Sequence, residues 1–153
     1  MVFYIKEFLE IYSQILPDAQ IEAISLLIQL VEWNNEQVYS PDDIGRALKC
    51  SLLSYPVVLE EDFSLAADLL ICSLRMDVIQ GKDYVKAFLE CLNYALSVGN
   101  KSVESPLIRL FNALPHESRK SLKKELSSKM PYVQNAFPNL FHHIRIVYGS
   151  MQE

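Results

Sequence analysis

The chain has 153 residues and a mass of 17.6 kDa, which is enough for one domain with a substantial hydrophobic core. Half of its residues are apolar and 22% are charged, a balance that excludes intrinsic disorder. Its four scattered glycines supply no phosphate-binding glycine loop, which argues against nucleotide-binding folds. We therefore expect a single globular domain over residues 1–153.

The amino-terminal stretch predicts the cellular compartment. Lys6, Glu7 and Glu10 interrupt its apolar residues, whereas a secretory signal has a basic end followed by an unbroken apolar run. The most apolar segments are too short for a membrane span. The three cysteines form an odd number, so a disulfide framework is not expected. These features predict a cytoplasmic protein with no membrane association.

Charge is distributed unevenly along the chain. The net charge is −5, but residues 1–100 carry 6 basic and 15 acidic side chains, and residues 101–153 carry 8 basic and 4 acidic ones. Between Glu7 and Gly45 there are eight acids and neither lysine nor arginine. The acids of this stretch therefore have no nearby partner along the chain.

Helical spacing of apolar residues predicts the first elements. A first helix covers residues 6–16 and ends at Pro17, and a second runs from Asp18 to about Asn34. The second helix carries one continuous polar stripe, which consists of Asp18, Glu22, Ser25, Gln29, Glu32 and Glu36. Ser40 and Pro41 begin a third helix that reaches Ser54, where Tyr55 and Pro56 are expected to break it.

The remaining elements are also helical. A fourth helix, residues 63–80, is apolar almost all round and is expected at the centre of the core. Further helices follow to about residue 97, from Ser105 to residue 114, over residues 116–130, and from Pro138 to residue 148, with a short turn after Pro131. No segment alternates with period two. The fold class predicted is all-α, with seven to eight helices packed as antiparallel pairs, either as an irregular bundle or as a small helical-repeat-like superhelix. The two Ser-Pro starts, at Ser40 and Ser105, lie 65 residues apart and are weak support for an internal repeat.

Candidate catalytic residues are few. The only histidines are His116, His142 and His143, and the adjacent pair points in directions about 100° apart on a helix, which cannot chelate one metal ion. Cys72 and Cys91 lie in the most apolar helices, where a thiol behaves as a small hydrophobe. We therefore expect no enzyme activity, no metal and no cofactor.

A basic tract offers one alternative function. Five basic residues fall within eleven positions: Arg119, Lys120, Lys123, Lys124 and Lys129. Nucleic-acid binding through this tract is weakened by the interspersed Glu117 and Glu125 and by the lack of aromatic side chains for base stacking. A solvated outer helix face is the better interpretation.

The acidic stretch carries the leading hypothesis, although a charged surface helix also serves solubility alone. Acids without counterions near aromatic anchors are typical of a surface that binds a basic protein. The residues expected to make contact are Glu22, Glu32, Trp33, Glu36, Tyr39, Asp42 and Asp43. The predicted function is a non-catalytic protein-binding module, with a candidate class in the immunity proteins that inhibit nucleic-acid-cleaving bacterial toxins. The other alternative is a structural or adaptor subunit of a larger complex; the sequence does not determine an oligomeric state.

Overall fold

The computed structural model describes residues 17–33 and 40–149, and the side chains of residues 20–32 and 40–149. Within these ranges the chain forms nine α-helices, one short 3-10 helix at Lys101–Val103 and no strand. The all-α prediction is confirmed, whereas the count of seven to eight helices is not. The first predicted helix lies outside the described residues. The helices are α1 (Pro17–Trp33), α2 (Pro41–Leu52), α3 (Tyr55–Glu61), α4 (Phe63–Arg75), α5 (Gly81–Val98), α6 (Glu104–Asn112), α7 (His116–Ser127), α8 (Met130–Ala136) and α9 (Pro138–Tyr148). None of the helices in the described ranges combines the length and apolarity that a membrane crossing requires.

The chain divides into two compact units, residues 1–79 and residues 80–153. In the first unit α1, α2 and α3 each contact α4, the helix expected at the centre of the core. Nine residues of α4 are buried, and four of them pack in one cluster with Ile24, Leu27 and Leu48 of the neighbouring helices: Leu65, Ala66, Leu69 and Cys72. The single domain predicted for residues 1–153 remains a prediction.

Two proline-containing segments form helices where the sequence predicts a break or a turn. Pro56 lies at the second position of α3, and Pro131 lies at the second position of α8. A backbone N–H in the first turn of a helix has no partner within that helix, so proline loses nothing there. Burial of Val58 and Val133 then holds both short helices in place.

Four helices are shorter than predicted, among them α6, which ends at Asn112 instead of residue 114. α2 ends at Leu52 instead of Ser54, α7 ends at Ser127 instead of residue 130, and α4 ends at Arg75 instead of residue 80. The end of α4 has a clear cause, because Asp77 adopts a left-handed backbone with φ of 58°. The N–H groups of the two following residues then donate to the carbonyl of Ser73, at 2.8 and 3.3 Å. This reversal closes the helix.

The second unit is built around α5. The Tyr84 hydroxyl donates to the carbonyl of Leu110 in α6 at 2.6 Å, and the Phe88 and Phe111 rings lie 6.1 Å apart. α7 lies alongside α5: a Cβ atom on Gly81 would lie 2.6 Å from Ser118 Oγ, and Lys129 Nζ donates to Asn93 Oδ1 at 2.7 Å. Gly81 precedes Asn93 in α5, and their neighbours Ser118 and Lys129 follow one another in the same order, so the two helices run in the same direction over this stretch.

The series α2–α3–α4 recurs as α7–α8–α9. The first three helices begin at residues 41, 55 and 63 and the second three at residues 116, 130 and 138, a constant offset of 75 residues. Between the second and third helix of each series stands one extended residue, Asp62 (φ −151°, ψ 87°) or Phe137 (φ −135°, ψ 75°). Its N–H donates to the carbonyl of Val58 at 2.8 Å or of Val133 at 2.7 Å. The two units therefore contain the same local chain path.

Few residues are shared at equivalent positions of this repeat. They include Pro56 with Pro131, Val58 with Val133 and the buried pair Leu65 and Leu140. The two Ser-Pro segments are not equivalent, because Pro41 opens α2 whereas Pro106 lies buried inside α6. The spacing of 65 residues therefore pointed to the wrong register.

Candidate partner-binding surface

The exposed face of α1 carries the acids that the sequence singles out. Glu22, Leu26, Gln29 and Glu32 are exposed and follow helical spacing, while Ile24, Leu27 and Ile28 on the opposite side are buried. We call these four exposed residues the α1 face. Leu26, 45% exposed, replaces the predicted Ser25 as the most outward side chain of its turn. The side chain of Trp33 and the whole of Glu36 and Tyr39 lie outside the described residues.

Asp42 and Asp43 occupy the first turn of α2. Ser40 Oγ accepts the backbone N–H of Asp43 at 3.2 Å, and Pro41 is the first residue of the helix, as the Ser-Pro pattern predicts. Asp42 is exposed and Asp43 is half-buried. Both carboxylates stand where the helix dipole favours negative charge, so their place in the sequence has a structural cause.

One hydrogen bond connects α1 with the end of α2. Ser54 Oγ, just beyond α2, donates to Gln20 Oε1 in the first turns of α1 at 3.0 Å. α1 and α2 also contact each other, so the first turns of α1 lie beside the end of α2. Along α1, Glu22 and Glu32 are ten residues, or about 15 Å, apart.

The buried Cys72 thiol, near the end of α4, is influenced by charges on α1 and α4. Burial first, and then the carboxylates of Glu32 and Asp68, raise the pKa of Cys72 to about 11, while Arg75 opposes the rise. The α1 face itself keeps no basic residue.

The groups considered for catalysis differ in burial. Cys72 and Cys91 are buried, Cys50 is half-buried, and all three cysteines are free thiols. Burial raises the pKa of Cys50 and of Cys72, which keeps both thiols protonated at neutral pH. His116 and His142 are exposed on α7 and α9. In the part of the chain that the structure describes, no three His, Cys, Asp or Glu residues are placed to hold a metal ion.

The basic tract is divided between solvent and internal contacts. Lys120 and Lys124 are exposed on α7, and Lys123 is half-buried. Arg119 points back along the chain, with its Nη2 donating to the carbonyl of Asn112 at 3.4 Å. Lys129 binds Asn93 on α5 at 2.7 Å. Two of the five basic residues are therefore engaged in contacts within the second unit.

Comparison with protein-family models, curated proteins and solved structures finds no match for this chain.

Proposed function

We propose that this chain is a non-catalytic protein-binding module and that its α1 face docks on a basic surface of another protein. The observation that carries the proposal is the α1 face itself. Two exposed carboxylates, Glu22 and Glu32, flank an exposed leucine on one helix face that holds no lysine or arginine. Asp42 and Asp43 add negative charge in the first turn of α2.

The chemistry of this face favours a protein partner over a small ligand. The carboxylates attract a positive surface over distances near the Debye length of about 8 Å, which speeds encounter. Leu26 supplies apolar area that a partner would remove from water. The contact is expected to involve Glu22, Leu26 and Glu32, the exposed residues that carry the charge and the apolar area of the α1 face.

A toxin that grips nucleic-acid phosphate is a partner of suitable chemistry, because its active surface is positive. We therefore retain inhibition of such a toxin, as by an immunity protein, as the specific form of the proposal. A reducing, cytoplasmic setting is part of it, and the three free thiols support that setting. For the architecture we propose antiparallel helix pairs, which the Gln20–Ser54 hydrogen bond supports for α1 and α2.

The test compares capture of partners by three forms of the chain. The native chain, the variant Glu22→Lys/Glu32→Lys and the control Glu90→Lys/Glu125→Lys are immobilised and exposed to extract of the source organism. All four glutamates are exposed, and each variant replaces two of them by lysine, so both variants change the net charge of the surface equally. The α1 variant is expected to lose a basic partner that the native chain and the control retain.

Titration calorimetry with that purified partner then measures the effect. Exposed ion pairs contribute about 0.2–1 kcal/mol each. Reversing two of them is expected to weaken binding about tenfold and to flatten its salt dependence. Equal affinity of the α1 variant and the control would refute the proposal.

One alternative has direct support. Leu53 is 81% exposed and Tyr132 is 68% exposed, and apolar side chains left in water at these positions are consistent with a structural or adaptor subunit of a larger complex. Nucleic-acid binding has less support, since Arg119 and Lys129 are engaged within the second unit.

A further inference from the structure

The outer side of α9 combines exposed apolar and basic residues. His142, Arg145 and Ile146 are all exposed, and their spacing of three and four residues places them on one side of the helix. Ile146 is 67% exposed, a large fraction for an isoleucine. α9 contains no acidic residue. We call these three residues the α9 face.

In the internal repeat, α4 of the first unit is the counterpart of α9, so the same side of the two helices can be compared. The positions of α4 equivalent to His142, Arg145 and Ile146 hold Ala67, Leu70 and Ile71, which are 0%, 3% and 8% exposed. This side of the third helix in the series is therefore apolar and buried in one copy of the repeat. In the other copy it keeps an isoleucine but is open to water. In helical-repeat proteins, a repeat whose outer side meets water carries polar residues there in place of apolar ones.

We propose that a second copy of this chain covers the α9 face with its α1 face. The inference rests on the proposed function, because it gives the acidic α1 face a specific partner. Charge complementarity selects this pairing: α9 has no acid, and α1 has no lysine or arginine. Each face also has one exposed aliphatic residue, Ile146 on α9 and Leu26 on α1.

This contact joins two different surfaces, so it is a heterologous contact. A dimer held by one such contact keeps the α1 face of one copy and the α9 face of the other copy free, and further copies can add to them. One pair of helices buries less than the roughly 1,200 Å² of a standard interface. The association is therefore weak, with a Kd of about 100 µM at low salt, and salt is expected to weaken it further.

Sedimentation equilibrium across a range of protein concentrations tests the proposal. The native chain is expected to self-associate reversibly. Glu32→Lys and Arg145→Glu are each expected to abolish association, since each removes one of the two complementary surfaces. Ile146→Asp should do the same without altering Arg145. Lys124→Glu reverses an exposed charge on α7 and should leave association unchanged.

Mixing the two charge variants gives the decisive measurement. The Glu32→Lys chain retains a native α9 face and the Arg145→Glu chain retains a native α1 face, so an equimolar mixture should form dimers that neither variant forms alone. A native chain that stays monomeric up to about 1 mM, or a mixture that stays monomeric, would overturn the inference. Arg145→Glu also separates the two proposals, because it should leave capture of a basic partner intact whereas Glu22→Lys/Glu32→Lys should not.

Discussion

Glu104 holds the beginning of α9 from a distance of 35 residues along the chain. Its Oε2 atom accepts the backbone N–H groups of Asn139 at 2.9 Å and of Leu140 at 3.3 Å, and its Oε1 atom accepts Asn139 Nδ2 at 3.0 Å. α9 has no capping side chain of its own. The Glu104 carboxylate on α6 therefore caps the beginning of α9, a role that a residue next to the helix itself usually has. We predict that Glu104→Ala destabilises the second unit.

The size of the effect follows from this geometry. Loss of a helix cap costs about 0.5–2 kcal/mol, and hydrogen bonds to a charged group contribute about 1.5–3 kcal/mol. Glu104 is half-buried, so water screens part of its charge, and we expect about 2 kcal/mol for Glu104→Ala. Glu104→Gln keeps one acceptor oxygen without the charge and should cost about 1 kcal/mol.

Thermal unfolding followed by circular dichroism measures these costs. At this chain length about 2 kcal/mol corresponds to a fall in Tm of roughly 4–8 °C. Glu90→Ala removes an exposed carboxylate from α5 and serves as the control, with an expected change within about 0.5 kcal/mol. If Glu104→Ala and Glu90→Ala unfold at the same temperature, the carboxylate does not hold α9 as inferred.

Two further predictions concern the backbone and the pH dependence of stability. Asp77→Gly should raise the free energy of unfolding by about 0.5 kcal/mol, because glycine adopts the left-handed conformation of this exposed residue without strain. The urea midpoint of the glycine variant should therefore rise and that of Asp77→Ala should fall. A lower midpoint for the glycine variant would contradict this explanation. Burial raises the pKa of Tyr148 from its usual 10 to about 12, so its stabilising contribution is complete below about pH 10 and is lost as the pH rises towards 12. Tyr148→Phe removes a 2.7 Å hydrogen bond to the carbonyl of Arg119 and should cost about 1 kcal/mol of stability at neutral pH. It should also flatten the fall in stability at alkaline pH. If urea unfolding shows that the free energy of unfolding falls with pH as steeply as in the native chain, the role of this phenol is refuted.

Features that depend on neighbouring residues could be predicted from the sequence. The cap at Ser40, the proline that follows it and the buried side of α1 all arise within one or two helical turns. The same local rules misjudged Pro56 and Pro131 because a proline can end one helix or begin the next. Which of the two occurs here depends on the burial of Val58 and Val133, a property of packing.

The candidate surface also has features that the sequence could predict and features that it could not. Spacing alone placed Glu22 and Glu32 on one side of a helix, because 3.6 residues per turn determines which side chains share a face. Spacing could not show that Arg119 and Lys129 turn to internal partners. These contacts join separate elements, and only the packing of those elements sets the distances.

The sequence by itself thus determined the helical class, the capped starts and the acidic side of α1, since these follow from propensity, capping and periodicity over a few residues. Only the tertiary structure decided the repeat of 75 residues, the distant cap from Glu104 and the open side of α9. Each buried helix side packs against helices that are far away in the chain. Different sets of apolar residues can therefore support the same chain path, and the two copies of the repeat share few identical residues.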